Sequence, residues 1–467
     1  MASTALVWLR NDLRIADNPA LVAGLAHGRV VALHVEATDE TLRRRGSASR
    51  WWLNRSLRAL AVDLADIGVR LVTAEGESEE IAFETLRAHG ADALFWNRRY
   101  GPAEREIDAA IKLRGRSEGI AVESFPGSVL VEPFDIATGS GGPYSVFTPF
   151  WKTLRTRNIA APRSAPSAAP PISPDAVDTG YRTPTWATKF DEHWQPGERA
   201  ALARLHSFLE HQLAGYADQR DFPTHSVTSQ LSPHLAFGEI SPRQIWHSAQ
   251  SVAHSRPEAA AAVDKFLSEL AWRDFNYTQY FHRTDIANVP MQERFSRLSW
   301  REDDAALAAW KQGRTGFPIV DAGMRELWAT GTMHNRVRML VASLVCKNLL
   351  LDWRLGEQWF WDTLVDADPA SNPGNWQWVA GSGLDASPFF RIFNPVTQGE
   401  RFDADGRYVR RWVPELALLP NEWLHEPFEA PPAVLRAAGV DLEANYPAPI
   451  VDLKMSRERA LEALKQL

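Results

Sequence analysis

Four short segments of the 467-residue chain gather side chains able to do chemistry. Glu269, Trp272 and Arg273 stand at i, i+3 and i+4 in a stretch of helical periodicity, so an acid, an aromatic plane and a cation share one face. That trio suits a flat polar ligand, and equally a half-buried Trp beside a surface ion pair. Asn335, Arg338 and Met339 repeat the spacing in MHNRVRM, with Arg336 on another side. This second polar face is expected to turn inward, as a ligand wall or as a satisfied core network. Thr228 to Ser232 (TSQLS) brings three hydroxyls up to Pro233, where a helix is expected to begin. Such hydroxyls hold a phosphate or simply cap the helix. Asp366, Asp368, Asn372, Trp376 and Trp378 crowd into DADPASNPGNWQW, where Pro369, Pro373 and Gly374 argue against regular helix. Binding residues favour such loops, although turn carboxylates and core Trp account for the same residues.

Two kinds of element must position these groups. Apolar runs at 5–9, 30–35, 69–73, 93–96 and 121–125 read as buried strands, and helical patterns at 48–67, 78–89 and 103–117 lie between them. This alternation predicts an α/β N-terminal domain with a doubly wound parallel sheet. No GxGxxG follows the first strand and no GxxxxGK[ST] occurs, so the common phosphate loops are missing. Residues 160–177 are rich in Pro, Ala and Ser and read as linker. Beyond about Gln195 amphipathic segments take over at 198–213, 259–280 and 322–351, predicting an all-α C-terminal domain. The expected boundaries are 1–130, 131–195 and 196–467.

Composition narrows the class. Hydrophobic residues at 45% and charged residues at 23% describe a globular protein of two or three domains. Cys346 is the sole cysteine, which excludes an intramolecular disulfide and a Cys-rich metal site and fits a reducing, cytoplasmic setting. The opening apolar run is cut by Arg10, Asp12 and Arg14, unlike a signal peptide, and no run is long enough to span a bilayer. A net charge of −7 gives no global attraction to nucleic acid, so DNA binding would need a local basic surface. The 19 Trp against 8 Tyr call for stacking, electron transfer or core packing.

VWLRNDLRIADNPAL at the start, TSQLS, ELAWRDF, MHNRVRM, and GNWQW followed by FFRIFNP together resemble the photolyase/cryptochrome flavoproteins. The resemblance runs nearly end to end, and is greatest to class I cyclobutane pyrimidine dimer (CPD) photolyases. It implies an antenna domain joined by a linker to a helical domain that binds FAD.

Carried over position by position, the resemblance assigns Tyr216, Thr228, Ser229, Leu231 and Ser232 to the phosphate and ribityl part of FAD. Arg273 would add positive charge, while Gln230 stands where relatives often carry a basic residue. Arg338 and Asp366 would pair beside the isoalloxazine, Asp368 would lie near its ribityl or imide edge, and Asn372 would face the central ring nitrogen. An amide there can hydrogen-bond a flavin that has gained electron density, whereas a carboxylate would repel the anionic reduced form. Glu269, Trp272, Asn335, Met339 and Trp378 would form the pocket for a flipped-out dimer, with Glu269 and Asn335 also at the cofactor. Arg336 and Arg391 would hold the DNA backbone. Extrusion costs a few kcal/mol and base stacking on Trp returns roughly 1–3 kcal/mol, so damage itself can decide specificity.

The implied mechanism is electron donation from light-excited reduced FAD to the dimer, cleavage of two ring bonds, and return of the electron. Glu269 is expected to be kept neutral by burial so that it donates a hydrogen bond to the substrate. Trp376, Trp353 and Trp300 match the family's re-reduction chain, leaving Trp310, Trp328, Trp359 and Trp361 to packing. Glu104 resembles an antenna-binding acid, but Ala103 replaces the Asn of folate-binding relatives. Methenyltetrahydrofolate, deazaflavin, a second flavin and no antenna all fit.

The expected partner is UV-damaged DNA, with no membrane, no obligate protein partner and a monomeric state. A cryptochrome-type receptor without repair activity is the alternative; Asn372, Met339 and the short stretch after the helical domain weigh against it. An adenine-nucleotide-binding protein built on the α/β domain leaves the helical half unexplained.

Overall fold

Strands form where both faces of an apolar run can be covered. In the computed structural model, which describes residues 3–166, 170–174, 176–442 and 444–467, five strands do so: β1 (Thr4–Trp8), β2 (Arg29–Ala37), β3 (Arg70–Gly76), β4 (Ala93–Asn97) and β5 (Ala121–Phe125). All pairs are parallel, in the order β3-β2-β1-β4-β5. Alternate β1 residues enter opposite cores: Ala5 and Val7 pack with Trp51, Trp52 and Leu57, whereas Leu6 and Trp8 pack with Phe83, Leu86 and Ile111. Helices therefore cover both faces, and strand order reverses at β1, as the doubly wound expectation requires.

The helices at Ser47–Asp66, Ser78–His89 and Pro102–Glu118 follow the expected periodicity. One more, Pro19–His27, precedes β2. Its start carries a legible signal, with Pro19 opening the first turn and Asn18 accepting from the Leu21 amide.

Two compact units emerge. One comprises Met1–Ala214, Ser229–Thr284 and Val365–Asp368, and the other Gly215–Thr228, Asp285–Leu364 and Pro369–Leu467. The first holds the sheet, and also the helices Glu198–His211, Pro242–Ser255 and Ala260–His282. The second is helical. Within the segment expected to be linker, Phe147–Leu154 is helix and Thr185–Glu192 is 3-10 helix, while the described residues of 160–177 carry neither helix nor strand.

Two expectations fail in the second unit. The 322–351 pattern is not one helix but Pro318–Thr330, Asn335–Ser343 and a π-turn at Leu344–Asn348. Gly331 at φ 72° ends the first piece, and His334 restarts the chain by accepting from the Arg336 amide. The GNWQW segment is a helix after all, Ser371–Ala380. Pro373 falls in its first turn, where an amide donor would lack an intrahelical acceptor in any case, so the proline removes no bond, and the Gly374 amide already reaches the Ala370 carbonyl at 3.1 Å. Among the described residues no helix is long and apolar enough to cross a membrane.

Candidate functional site

Within the first unit the Ala260–His282 helix presents the expected trio. Trp272 is half-buried, stacked face to face on Phe147 with ring centroids 3.9 Å apart and planes 10° from parallel, and met edge-on by Phe275 at 5.6 Å. Glu269 departs from expectation. It accepts from Lys265 one turn earlier at 2.7 Å and is only half-buried, so the burial expected of it is not found. The signal for this pair is local, since Lys265 stands at the favourable i,i+4 spacing from Glu269.

Arg273 donates to the Ser128 carbonyl at 2.6 Å and lies over the Tyr277 ring at 4.6 Å, while its Nε finds no partner among the described residues. Burial works against this cation, but Tyr277, Asp368 and Asp274 outweigh it and hold its pKa above the usual value. Tyr277 donates to Asp368 at 2.8 Å; burial, with that carboxylate, pushes the phenol well above its ordinary range, so it stays a donor. Burial also raises the neighbouring Asp274 to about 6, against the pull of Arg273 and the Leu130 and Val131 amides.

TSQLS does not act as a side-chain cap. The helix it leads into is the five-residue Ser232–Ala236, whose N-cap position is Leu231. Ser232 donates to Asp366 at 2.7 Å, and Ser229 accepts from the Leu231 amide at 3.4 Å. Gln230 takes φ 52°, uncommon for a side-chain-bearing residue, and its amide oxygen accepts from Arg204, so the cation missing from this position stands one contact away. Glu104, buried, accepts from Tyr280 at 3.3 Å.

Within the second unit, Tyr216 is buried with Arg220 over its ring at 5.4 Å, and Thr228 is half-buried. The MHNRVRM face does not turn into the core. Asn335 is exposed and Arg338 and Met339 half-buried; the inward residues are Val337, Leu340 and Val341. Arg338 donates to the Met333 carbonyl at 2.7 Å and to Thr332 at 3.2 Å. Arg336 is clamped by Asp221 at 2.5 Å over the Phe402 ring. Arg391 is exposed, and its carbonyl accepts from the buried Lys347 at 2.8 Å.

Asn372 is buried, and its amide nitrogen donates both to the Glu357 carboxylate and to that residue's carbonyl, so the amide oxygen is the atom left to accept. Trp353 and Trp376 are buried with indole N–H groups that have no partner among the described residues. Trp376 meets Phe360 edge-on at 5.0 Å and Trp310 at 6.2 Å. Trp300 is half-buried against Phe295, Leu298 and Phe389, and Trp378 is half-buried. Trp310 is buried, and Trp328, although 49% exposed, stacks on Trp359. No cluster of possible metal ligands occurs among the described residues.

The donor set suits FAD. In the first unit, hydroxyls and an arginine with an unpartnered Nε match a diphosphate and carboxylates match ribose and imide donors; in the second, taken by itself, an amide oxygen matches a ring N–H.

Comparison with known proteins agrees. Residues 5–171 match the family described as DNA photolyase, and residues 266–466 match the FAD binding domain of DNA photolyase. A deoxyribodipyrimidine photo-lyase of Agrobacterium fabrum is 49% identical, covering 98% of this chain and 97% of the relative. Cryptochrome-1 of Arabidopsis thaliana is 38% identical over 99% of this chain and 70% of its own. The crystal structure of a bacterial class III photolyase from Agrobacterium tumefaciens superposes with a TM-score of 0.95 at 48% identity, over 100% of this chain and 98% of that one. The fold and these matches thus define a flavin enzyme with FAD as its cofactor. The chain belongs to the photolyase/cryptochrome family.

Proposed function

We propose that the chain repairs DNA in light by splitting cyclobutane pyrimidine dimers, and that its subclass is class III, given the 48% identity to a class III structure, in place of the class I expected from the motifs. The observation that carries the reading is Trp272: a half-exposed indole plane, fixed from one side by Phe147, on a helix face it shares with an acid and a cation. A flat, poorly stacked lesion is the ligand such a plane suits.

FAD, when bound, reduced and excited by light, supplies the electron. The protein groups do the rest. Ser229, Leu231, Ser232, Tyr216 and Thr228, with Arg273, are proposed to hold its phosphate and ribityl part. Asp366, Asp368, Arg338 and Asn335 are proposed as further cofactor contacts. Asn372 is proposed to accept a proton-bearing ring nitrogen. Trp272, Met339 and Trp378 are assigned to the dimer, and Glu269 is proposed to meet it in place of its Lys265 contact. Exposed Arg391 is the better candidate for a DNA phosphate, because Arg336 is already held by Asp221. Trp376, Trp353 and Trp300 are proposed to re-reduce the flavin.

The proposed domain boundaries remain 1–130, 131–195 and 196–467, with a monomeric protein working in the cytoplasm. Glu104 is proposed as the acid of an antenna site; the absorption spectrum of purified protein distinguishes folate, deazaflavin, a second flavin and none.

A receptor without repair activity is the second reading, favoured by the 38% identity to cryptochrome-1. One experiment separates them: blue light on the reduced protein with an oligonucleotide carrying a single thymine dimer, followed by chromatography. Restored thymines support repair, and persistent dimers with bound, reduced flavin support the receptor.

A further inference from the structure

An indole ring offers two faces to a planar partner. In Trp272 one is taken: the Phe147 ring lies 3.9 Å away and within 10° of parallel, and Phe275 meets the indole at 90°. Phe147 is itself fixed. It is buried at the start of the Phe147–Leu154 helix, tilted against Phe150 at 6.4 Å and edge-on to Phe275 at 5.9 Å, and Phe150 in turn meets Phe275 at 5.4 Å. Trp272 is thus the outermost plane of a four-ring cluster assembled from two helices. A half-buried Trp without such backing samples several rotamers, and binding then costs the entropy of selecting one. Backed on one face, the ring keeps a single plane, and a base can stack only on the other side.

We infer that Phe147 is a positioning residue for lesion recognition: it fixes the plane of Trp272 and closes its rear face, so that discrimination between damaged and intact DNA depends on a ring that touches neither. This rests on the lesion-pocket reading given above. Because the ring acts through preorganisation, its loss weakens recognition of the extruded dimer and leaves contacts to the phosphate backbone unchanged.

The test compares full-length, flavin-loaded Phe147→Leu, Phe147→Tyr, Trp272→Ala and the Phe147→Leu/Trp272→Ala double variant. Affinities are measured in the dark, at one salt concentration, for a thymine-dimer oligonucleotide and its undamaged counterpart, with flavin content read from absorbance. Phe147→Leu is expected to lower the damaged-to-intact affinity ratio by about five-fold, a size typical of one aromatic pair. Phe147→Tyr, which keeps the plane, should restore the ratio, intact-DNA affinity and flavin content should hold in both, and the double variant should be no worse than Trp272→Ala. An unchanged ratio in Phe147→Leu beside a reduced one in Trp272→Ala overturns the inference alone. Loss of flavin together with discrimination in both Phe147 variants also overturns it, as the behaviour of a merely structural ring. An unchanged ratio in Trp272→Ala overturns the lesion-pocket reading itself.

Discussion

The amide nitrogen of Asn372 donates to the Glu357 carboxylate at 2.8 Å and to the Glu357 main-chain carbonyl at 3.0 Å, joining the Ser371–Ala380 and Trp353–Thr363 helices of one unit. Both residues are buried, and the two bonds fix which end of the amide faces outward. Glu357→Ala should therefore free the amide to rotate and leave a buried donor short of one acceptor, at a cost of about 1–3 kcal/mol in unfolding free energy. Chemical denaturation checks the stability, and flavin retained through gel filtration checks the orientation. Glu357→Gln, which keeps an acceptor oxygen, should lose less on both measures.

Asp274 supplies a pH test. Burial raises its pKa from 3.8 to about 6, and its neighbours are the Arg273 guanidinium and the Leu130 and Val131 amides. Between these two values the folded state binds more protons than the unfolded one, so this group's contribution to stability falls as pH rises from about 4 to 6 and stays low above that. The span is about 3 kcal/mol at one pKa unit per 1.4 kcal/mol. Asp274→Asn should flatten that part of the profile, seen as a smaller difference between unfolding free energies at pH 5 and pH 7 than in the unmodified protein. Equal differences would show that Asp274 titrates normally.

Gly356 shows how closely Trp376 is seated. A Cβ there would lie 2.1 Å from the indole ring. Gly356→Ala should push the ring aside and destabilise the unit by about 1–3 kcal/mol, the usual cost of overpacking. Light-driven reduction of oxidised flavin should slow with it. Trp376→Phe should slow photoreduction while repair by chemically pre-reduced protein is spared; equal loss of both activities would refute that division of labour.

Much of this arrangement is legible in the sequence where the cause is local. Ala121–Phe125 and Ser78–His89 have the bounds their patterns imply, because apolar periodicity is bounded there by turn residues, with Gly90 closing the helix at φ 59°. Trp272 and Glu269 share a face because helical spacing puts them there. The Ser371–Ala380 helix was obscured because proline and glycine weigh against a helix only beyond its first turn. Phe147 on Trp272 left no sign, since contacts between distant segments depend on tertiary packing and not on spacing. Lys265 was legible, but nothing local distinguishes a carboxylate that pairs from one that is buried.

Lys347 is fully buried in the π-turn, where its ammonium donates to the Arg391 carbonyl at 2.8 Å and faces Phe389 at 5.6 Å. Burial lowers its pKa from 10.5 to about 8, with Cys346 opposing and Arg391 adding to the shift. Below pH 8 the lysine is charged in both folded and unfolded states and the full cost of burying that charge is present. From about pH 8 to 10.5 the unfolded state binds more protons, so this group's contribution to stability rises with pH by at most about 3.5 kcal/mol. Lys347→Met should abolish that rise, measured by denaturation at pH 7.5 and 9.5 against the unmodified protein. It should also leave the Arg391 carbonyl without its donor and loosen the segment that presents the exposed Arg391 side chain, weakening DNA binding about two- to five-fold, as expected for loss of one modest hydrogen bond. Unchanged affinity with an altered pH profile would mean that Lys347 sets stability but does not hold the Arg391 segment in its binding position.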